Sequence, residues 1–134
     1  MSVDFQRSTE KLKKQPAVTE AAIEAYNLSS GPRLPDEYLE FLRISNGAEG
    51  FIGKKYVMFW PLEELLELNK SYEVDKHAPG LFLFGSSGGG EAYAFDTRFS
   101  MSIVQVPFVG MDLREAWHVA QTFHEFLHTL EKAS

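Results

Sequence analysis

The chain contains no cysteine, which excludes disulfide staples, thiolate metal sites and a thiol nucleophile. Long apolar runs are missing as well. The strongest, Leu81-Phe82-Leu83-Phe84, falls far short of the roughly 20 residues that a membrane span needs. Clustered basic charge is scarce: 13 Lys and Arg stand against 19 Asp and Glu, a net charge of −6. Phosphate contacts need grouped cations, so nucleic acid is not an expected partner. Lys11, Lys13 and Lys14 form the one basic group, and Glu10 sits beside it. The opening residues, Met1-Ser2-Val3-Asp4-Phe5-Gln6-Arg7, lack the basic-then-apolar order of a secretory signal. These absences together predict a cytoplasmic protein that neither crosses nor binds a membrane.

Large apolar side chains are plentiful, with 11 Phe, 5 Tyr and 2 Trp among 134 residues. That supplies the core of one domain, and the length is too short for two that each bury their own. No internal repeat or linker interrupts the chain.

Local patterns divide the sequence into helices at the start, strands in the middle and a helix at the end. Residues 1–18 form an N-terminal segment, read as a weak helix over 4–15 with a thin stripe of Phe5 and Leu12, stopped by Pro16. Thr19 suits an N-cap for a helix from Glu20 to Asn27, with Ile23 and Tyr26 on one face. A third helix opens at Leu34-Pro35 and buries Tyr38, Leu39, Phe41, Leu42 and Ile44, with Asn46-Gly47 as a left-handed stop. Residues 55–60, 81–85, 91–96 and 102–107 read as strands. Between the first two, Pro61 opens a helix that turns Leu62, Leu65 and Leu66 inward and Glu63, Glu64 and Glu67 outward. The final helix begins at 113 or 117 and runs to 132, burying Val119, Ala120, Phe123, Phe126, Leu127 and Leu130. The order predicts an α+β fold, with a central antiparallel or mixed sheet of about 4–6 strands and helices mainly on one side.

One string carries catalytic chemistry on its face. His124-Glu125-Phe126-Leu127-His128 matches the helical zinc-peptidase pattern, in which two histidines one turn apart hold the metal and the Glu activates water. A third ligand is required, and no segment after His128 is expected to supply it, nor does His77 or His118 point to the site. With Phe123, Phe126, Leu127 and Leu130 on the core stripe, His124 and His128 are expected on the solvated edge, and no metal is assigned. The glycine run Gly85-Ser86-Ser87-Gly88-Gly89-Gly90 lacks the Lys-Ser/Thr of a phosphate loop and is followed by Glu91 and a second strand. A hairpin turn fits it better. No Gly-x-Ser-x-Gly elbow is present.

The order of several loose motifs is more specific than any one of them. Leu34-Pro35-Asp36-Glu37-Tyr38-Leu39-Glu40-Phe41-Leu42 with Asn46-Gly47, then Phe59-Trp60-Pro61-Leu62-Glu63-Glu64-Leu65 with Asn69, resembles the opening of the SUKH superfamily. Leu81-Phe82-Leu83-Phe84-Gly85, the glycine loop and Glu91-Ala92-Tyr93-Ala94-Phe95-Asp96 are similar to its central hairpin. Phe123, Phe126, Leu127 and Leu130 are similar to its closing helix. The resemblance covers residues 19–131 as a single SUKH-like domain. It implies an α+β protein-binding module without cofactor or catalytic residues. That superfamily includes yeast cell-wall-assembly regulators, signalling adaptors and bacterial immunity proteins that neutralise nuclease or deaminase toxins.

The expected function is therefore partner binding: an immunity protein gripping a toxin domain, with a regulatory adaptor as the alternative and a zinc hydrolase using His124 and His128 as the contrasting enzyme. The acidic net charge suits a toxin basic enough to hold nucleic acid. Three surfaces are candidates for the contact: the loop with Ser87, Gly88, Gly89 and Glu91, the acidic helix with Glu63, Glu64 and Glu67, and the segment 111–117 with Trp117, since aromatic residues anchor interfaces.

Overall fold

A computed structural model describes residues 8–132. One sheet runs through it as a meander of seven strands in sequence order, every neighbouring pair antiparallel. The strands are β1 (Lys13–Lys14), β2 (Ala48–Ile52), β3 (Lys55–Phe59), β4 (Leu81–Ser86), β5 (Glu91–Asp96), β6 (Ser102–Pro107) and β7 (Trp117–Ala120). The helices are α1 (Glu20–Asn27), α2 (Asp36–Leu42), α3 (Leu62–Ser71), α4 (Val74–His77) and α5 (Phe123–Lys132), with a short 3-10 turn at Leu113–Glu115. The α+β class matches expectation, but the sheet is larger than the expected range and wholly antiparallel.

Three strands lie outside the four stretches that read as strands in the sequence. β1 lies where a helix was expected; among the described residues of 4–15 only Ser8 is helical, and Phe5 lies outside them. β2 reads Ala-Glu-Gly-Phe-Ile, a sequence with little strand preference, and is fixed by its pairing with β3. β7 lies in the stretch expected to begin the last helix. There Val119, Ala120 and Phe123 fall at helical spacing by coincidence. The helix starts only after Thr122, whose Oγ1 accepts the Glu125 N–H at 3.1 Å. Glu125 in turn accepts the Gln121 N–H at 2.5 Å. This is a close variant of the Thr-x-x-Glu capping box, and it was legible in the sequence.

The sheet separates two apolar layers. Side chains alternate along β4 and β5, so Phe82, Phe84, Tyr93 and Phe95 face one layer while Leu81, Leu83, Ala92 and Ala94 face the other. The aromatic face meets α1, α2 and α5. Tyr38 on α2 sits edge-on to Phe84, Phe95 and Phe123, with ring centroids 5.2–5.4 Å apart. Each such pair contributes about 0.5–1.5 kcal/mol beyond area burial. Burial holds the Tyr38 phenol well above the ordinary tyrosine range, with Tyr26 adding to the shift. The thinner second layer is closed by α4 and the chain from Phe108 to Ala116, which rest on the small Ala92 and Ala94. Most helical packing is thus on one side, as expected.

Two of the sequence signals prove tertiary. Helix α2 ends at Leu42 with Arg43 as its cap, so Asn46-Gly47 is not its stop, and Ile44 is exposed instead of buried. Asn46 reaches to α3, whose N-cap is Pro61 and has no side-chain acceptor of its own. Its Oδ1 accepts the Leu62 N–H at 2.8 Å and its Nδ2 donates to Glu63 at 2.7 Å. Gly47 has a φ of +91°, and a Cβ there would lie 2.8 Å from the Phe59 carbonyl oxygen, so the turn can pack against the end of β3 only as glycine.

Candidate partner-binding surface

The glycine run is the β4–β5 hairpin loop. Ser87 donates through its backbone N–H to the Glu91 carbonyl at 2.9 Å and through its hydroxyl to the Glu91 carboxylate at 3.4 Å. Gly89 N–H donates to Ser87 Oγ at 3.2 Å, and Gly88 lies against the ring of Tyr56. Trp117 is the first residue of β7, opposite Gln105, and remains 49% exposed. Ser87 and Glu91 of the hairpin loop and Trp117, far from both in sequence, together line a cleft of about 430 Å³, with Lys55, Tyr56 and Tyr93 among its other walls. The cleft thus takes in the base of the hairpin loop and, of the segment 111–117, Trp117 alone; Gly88 and Gly89 are not among its lining residues, and Met111 is buried in the second apolar layer.

Tyr56 and Tyr93 were not singled out from the sequence. The signal for Tyr56 was present: period-two alternation around the buried Val57 and Phe59 turns it to the opposite face. Its hydroxyl donates to the Glu49 carboxylate across the β2–β3 pair, and that bond raises its pKa above the ordinary tyrosine value. Burial raises Tyr93, with the Glu91 charge adding to it. Both phenols accordingly stay neutral over the physiological range. The cleft offers aromatic walls, neutral hydroxyls and charges of both signs from Lys54, Lys55 and Glu91. Aromatic rings beside hydroxyls and charges of both signs can supply stacking and hydrogen bonds.

The acidic helix is a separate surface. Glu63, Glu64 and Glu67 on α3 are exposed and are not among the residues lining the cleft. Glu63 also has a structural task in the contact with Asn46 described above.

The zinc-like string takes a different shape from the one its spacing suggests. Glu125 is committed to the N-terminus of α5 through its bond to the Gln121 N–H. His124 is only 29% exposed and turns towards α2, its Nδ1 3.5 Å from Glu37 Oε2 and its backbone N–H donating to Glu37 Oε1 at 2.9 Å. His128 is exposed. The expected solvated edge therefore holds for His128, whereas His124 is an interhelical contact. Among the described residues no group of three or more His, Asp or Glu is placed to hold a metal ion.

A buried carboxylate organises the far end of the central hairpin. Asp96 is 3% exposed and accepts from Arg98 Nε at 3.0 Å, Arg98 Nη2 at 2.9 Å and the Arg98 backbone N–H at 3.0 Å. The Asp that closes the Glu-Ala-Tyr-Ala-Phe-Asp motif is thus the clamp of the β5–β6 turn.

The model of the SMI1 / KNR4 family (SUKH-1) matches residues 17–129. The chain belongs to that family. Among curated proteins no individual relative matches. The motifs that the SUKH resemblance rested on, from Leu34-Pro35 to the closing-helix stripe of Phe123, Phe126, Leu127 and Leu130, fall within the matched stretch except Leu130, which lies just beyond its end. Their residues do backbone work in the fold: Asn46 caps α3, Gly47 admits β3 and Asp96 clamps a turn. Asn69 of the same set bonds both backbone groups of Leu83, at 2.8 Å and 3.0 Å. Among the described residues no helix is long and apolar enough to cross a membrane.

Proposed function

We propose that this SUKH-1 chain is a non-catalytic, cytoplasmic protein-binding domain, and specifically a bacterial immunity protein that binds and neutralises a toxin of the nuclease or deaminase class. The residues 19–131 act as one domain in this reading. The observation that carries it is the convergence of Ser87, Glu91 and the half-exposed Trp117 on one cleft. A tryptophan held at an edge with its ring in water is a costly residue to expose, and tryptophan is among the side chains most enriched at the energetic centre of interfaces. Family membership favours a binder over an enzyme, because the motifs behind the resemblance serve capping, turns and the core. The net charge of −6 favours a basic partner, whose encounter it would accelerate.

The test is recovery of the partner from native cytosol with the tagged chain, followed by expression of the recovered protein alone and together with it. One partner at equal stoichiometry, toxic alone and harmless with this chain, is the expected outcome. Several non-toxic partners would instead make it an adaptor.

A further inference from the structure

The second apolar layer runs out into a polar cleft. Asp96 on β5 stands opposite Ser102 on β6, and Val104, two residues further along β6, stands opposite His118 on β7. Side chains two apart on a strand point the same way, so all four face the side on which Val104 joins the second layer. Leu113 and Ala116, from the 3-10 turn and its cap, add apolar wall. The space measures about 580 Å³, the size of a small-molecule site. It is not the Trp117 cleft: His118 lines both, but Tyr93 in that one faces the first layer.

One side chain in it does not belong to a core. Ser102 is 4% exposed, yet among the described residues its hydroxyl has no hydrogen-bond partner. Burying a hydroxyl without a bond costs free energy that an alanine would not. Ser102 lines the cleft, so its hydroxyl is placed to bond with what enters there.

The rest of the lining limits what that is. Asp96, the buried charge beside Ser102, is already bound by Arg98 through Nε, Nη2 and the backbone N–H. The pair is neutral, so a charged ligand would find no counter-ion. The same bonds take Asp96 out of any relay, and among the described residues no hydrogen bond joins Ser102 to His118. A nucleophilic triad is therefore not what these residues form. What remains are groups that donate and accept in turn: the Ser102 hydroxyl, the His118 imidazole and the Gln121 amide. They come from β6, from β7 and from beyond β7, so they reach a ligand from several sides instead of reading one edge. Phe99 adds a ring that is 63% exposed. Hydroxyls on successive carbons of a saturated ring, with an apolar C–H face between them, match this lining.

We infer that this cleft is a binding site for a neutral polyhydroxylated small molecule, a saccharide unit. Ser102, His118 and Gln121 bond its hydroxyls, and Phe99 lies against its C–H face. The site goes beyond the partner-binding reading and stands independently of it.

The experiment titrates methyl glucoside, methyl galactoside, maltose and uracil into the isotope-labelled full chain, followed by NMR. At least one of the three saccharides is expected to give saturable shifts at the Ser102, His118 and Gln121 amides while those of Tyr56 stay still. Tighter binding of maltose than of the methyl glucoside assigns the site to the end of a longer glycan; equal binding assigns it to a free sugar. Ser102→Ala is expected to weaken the binding at least about ten-fold, with a melting temperature at or above that of the wild type. A structural serine would give the opposite melting result, because the fold would lose a bond. Saturation by uracil alone, no saturable shift with any saccharide, or Ser102→Ala binding within about two-fold of wild type each overturns the assignment.

Discussion

The side-chain amide of Asn69 on α3 is hydrogen-bonded to both backbone groups of Leu83 in β4, accepting its N–H at 2.8 Å and donating to its carbonyl at 3.0 Å. β3 pairs with β4 at Met58–Ser86 and Phe59–Gly85, and the Trp60 N–H adds one more bond, to the Phe84 carbonyl at 3.1 Å. Beyond that point the Asn69 amide stands in for the missing strand. The site is buried, so neither Leu83 group has water to turn to.

Asn69→Ala is therefore expected to cost about 2–4 kcal/mol, the penalty of leaving a buried donor and acceptor unmet. That corresponds to a fall in melting temperature of about 10 °C. Asn69→Asp keeps the acceptor for the Leu83 N–H but sets a carboxylate against its carbonyl. Its damage should lessen as pH falls and the protonated carboxyl becomes a donor. A thermal shift for Asn69→Ala no larger than that of a typical surface substitution would contradict this account.

A cap supplied from outside the helix makes a second prediction. Asn46→Ala removes the acceptor for the Leu62 N–H and should cost about 1 kcal/mol. Glu63→Ala removes only the exposed end of the same chain of bonds and should cost well under half of that. Equal losses in denaturant titration would show that the cap is not what Asn46 contributes.

The zinc-like string is predicted to be inert towards metal. Dialysis of the purified chain against zinc should leave no stoichiometric metal bound, and Glu125→Ala should lower stability by about 1 kcal/mol through its capping role. Zinc retained at one equivalent, and lost on His124→Ala or His128→Ala, would reinstate the hydrolase reading.

Asp112 gives a pH prediction. Arg114 binds its carboxylate through the side chain at 2.9 Å and 3.1 Å and through the backbone N–H at 2.8 Å, and these bonds hold its pKa down at about 2 from 3.8. Because the folded value lies below the unfolded one, the turn is stabilised above the unfolded value, and that stabilisation is lost as pH falls from there through about 2. Carboxyl-carbon NMR titration should report the depressed value directly. Arg114→Ala should return it towards the ordinary aspartate range, and no movement on that substitution would rule Arg114 out as the cause.

What the sequence revealed, and what it hid, follows the range of the forces involved. The helix starts at Thr19, Pro35 and Pro61 and the strands at 55–60, 81–85, 91–96 and 102–107 were legible because propensity, capping and burial agree locally. β1, made of two lysines, and β2, with its internal Gly50, were not legible, since cross-strand pairing and not local preference makes them strands. β7 departs from the expected helix because Val119, Ala120 and Phe123 imitate a helical stripe, although the Thr122/Glu125 cap marks the true helix start. The roles of Asn46, Asn69 and Asp96 depend on partners 14 or more residues away for the first two and on burial for the third. Of the candidate site, Ser87, Glu91 and Trp117 could be named one by one, but their shared cleft needed the β4–β7 register.

The cleft itself predicts that Trp117→Ala will leave thermal stability within about 0.5 kcal/mol of wild type and weaken partner binding at least about ten-fold. Unchanged affinity would move the interface away from β7.

The central claim is that this chain neutralises a toxin by binding it, and the most direct measurement is a titration of the partner's own activity. The purified partner, assayed on its nucleic-acid or nucleotide substrate, should lose activity linearly as this chain is added and be silent at one equivalent. Full activity in the presence of saturating chain, or activity that rises with it, would contradict neutralisation even if the two proteins bind.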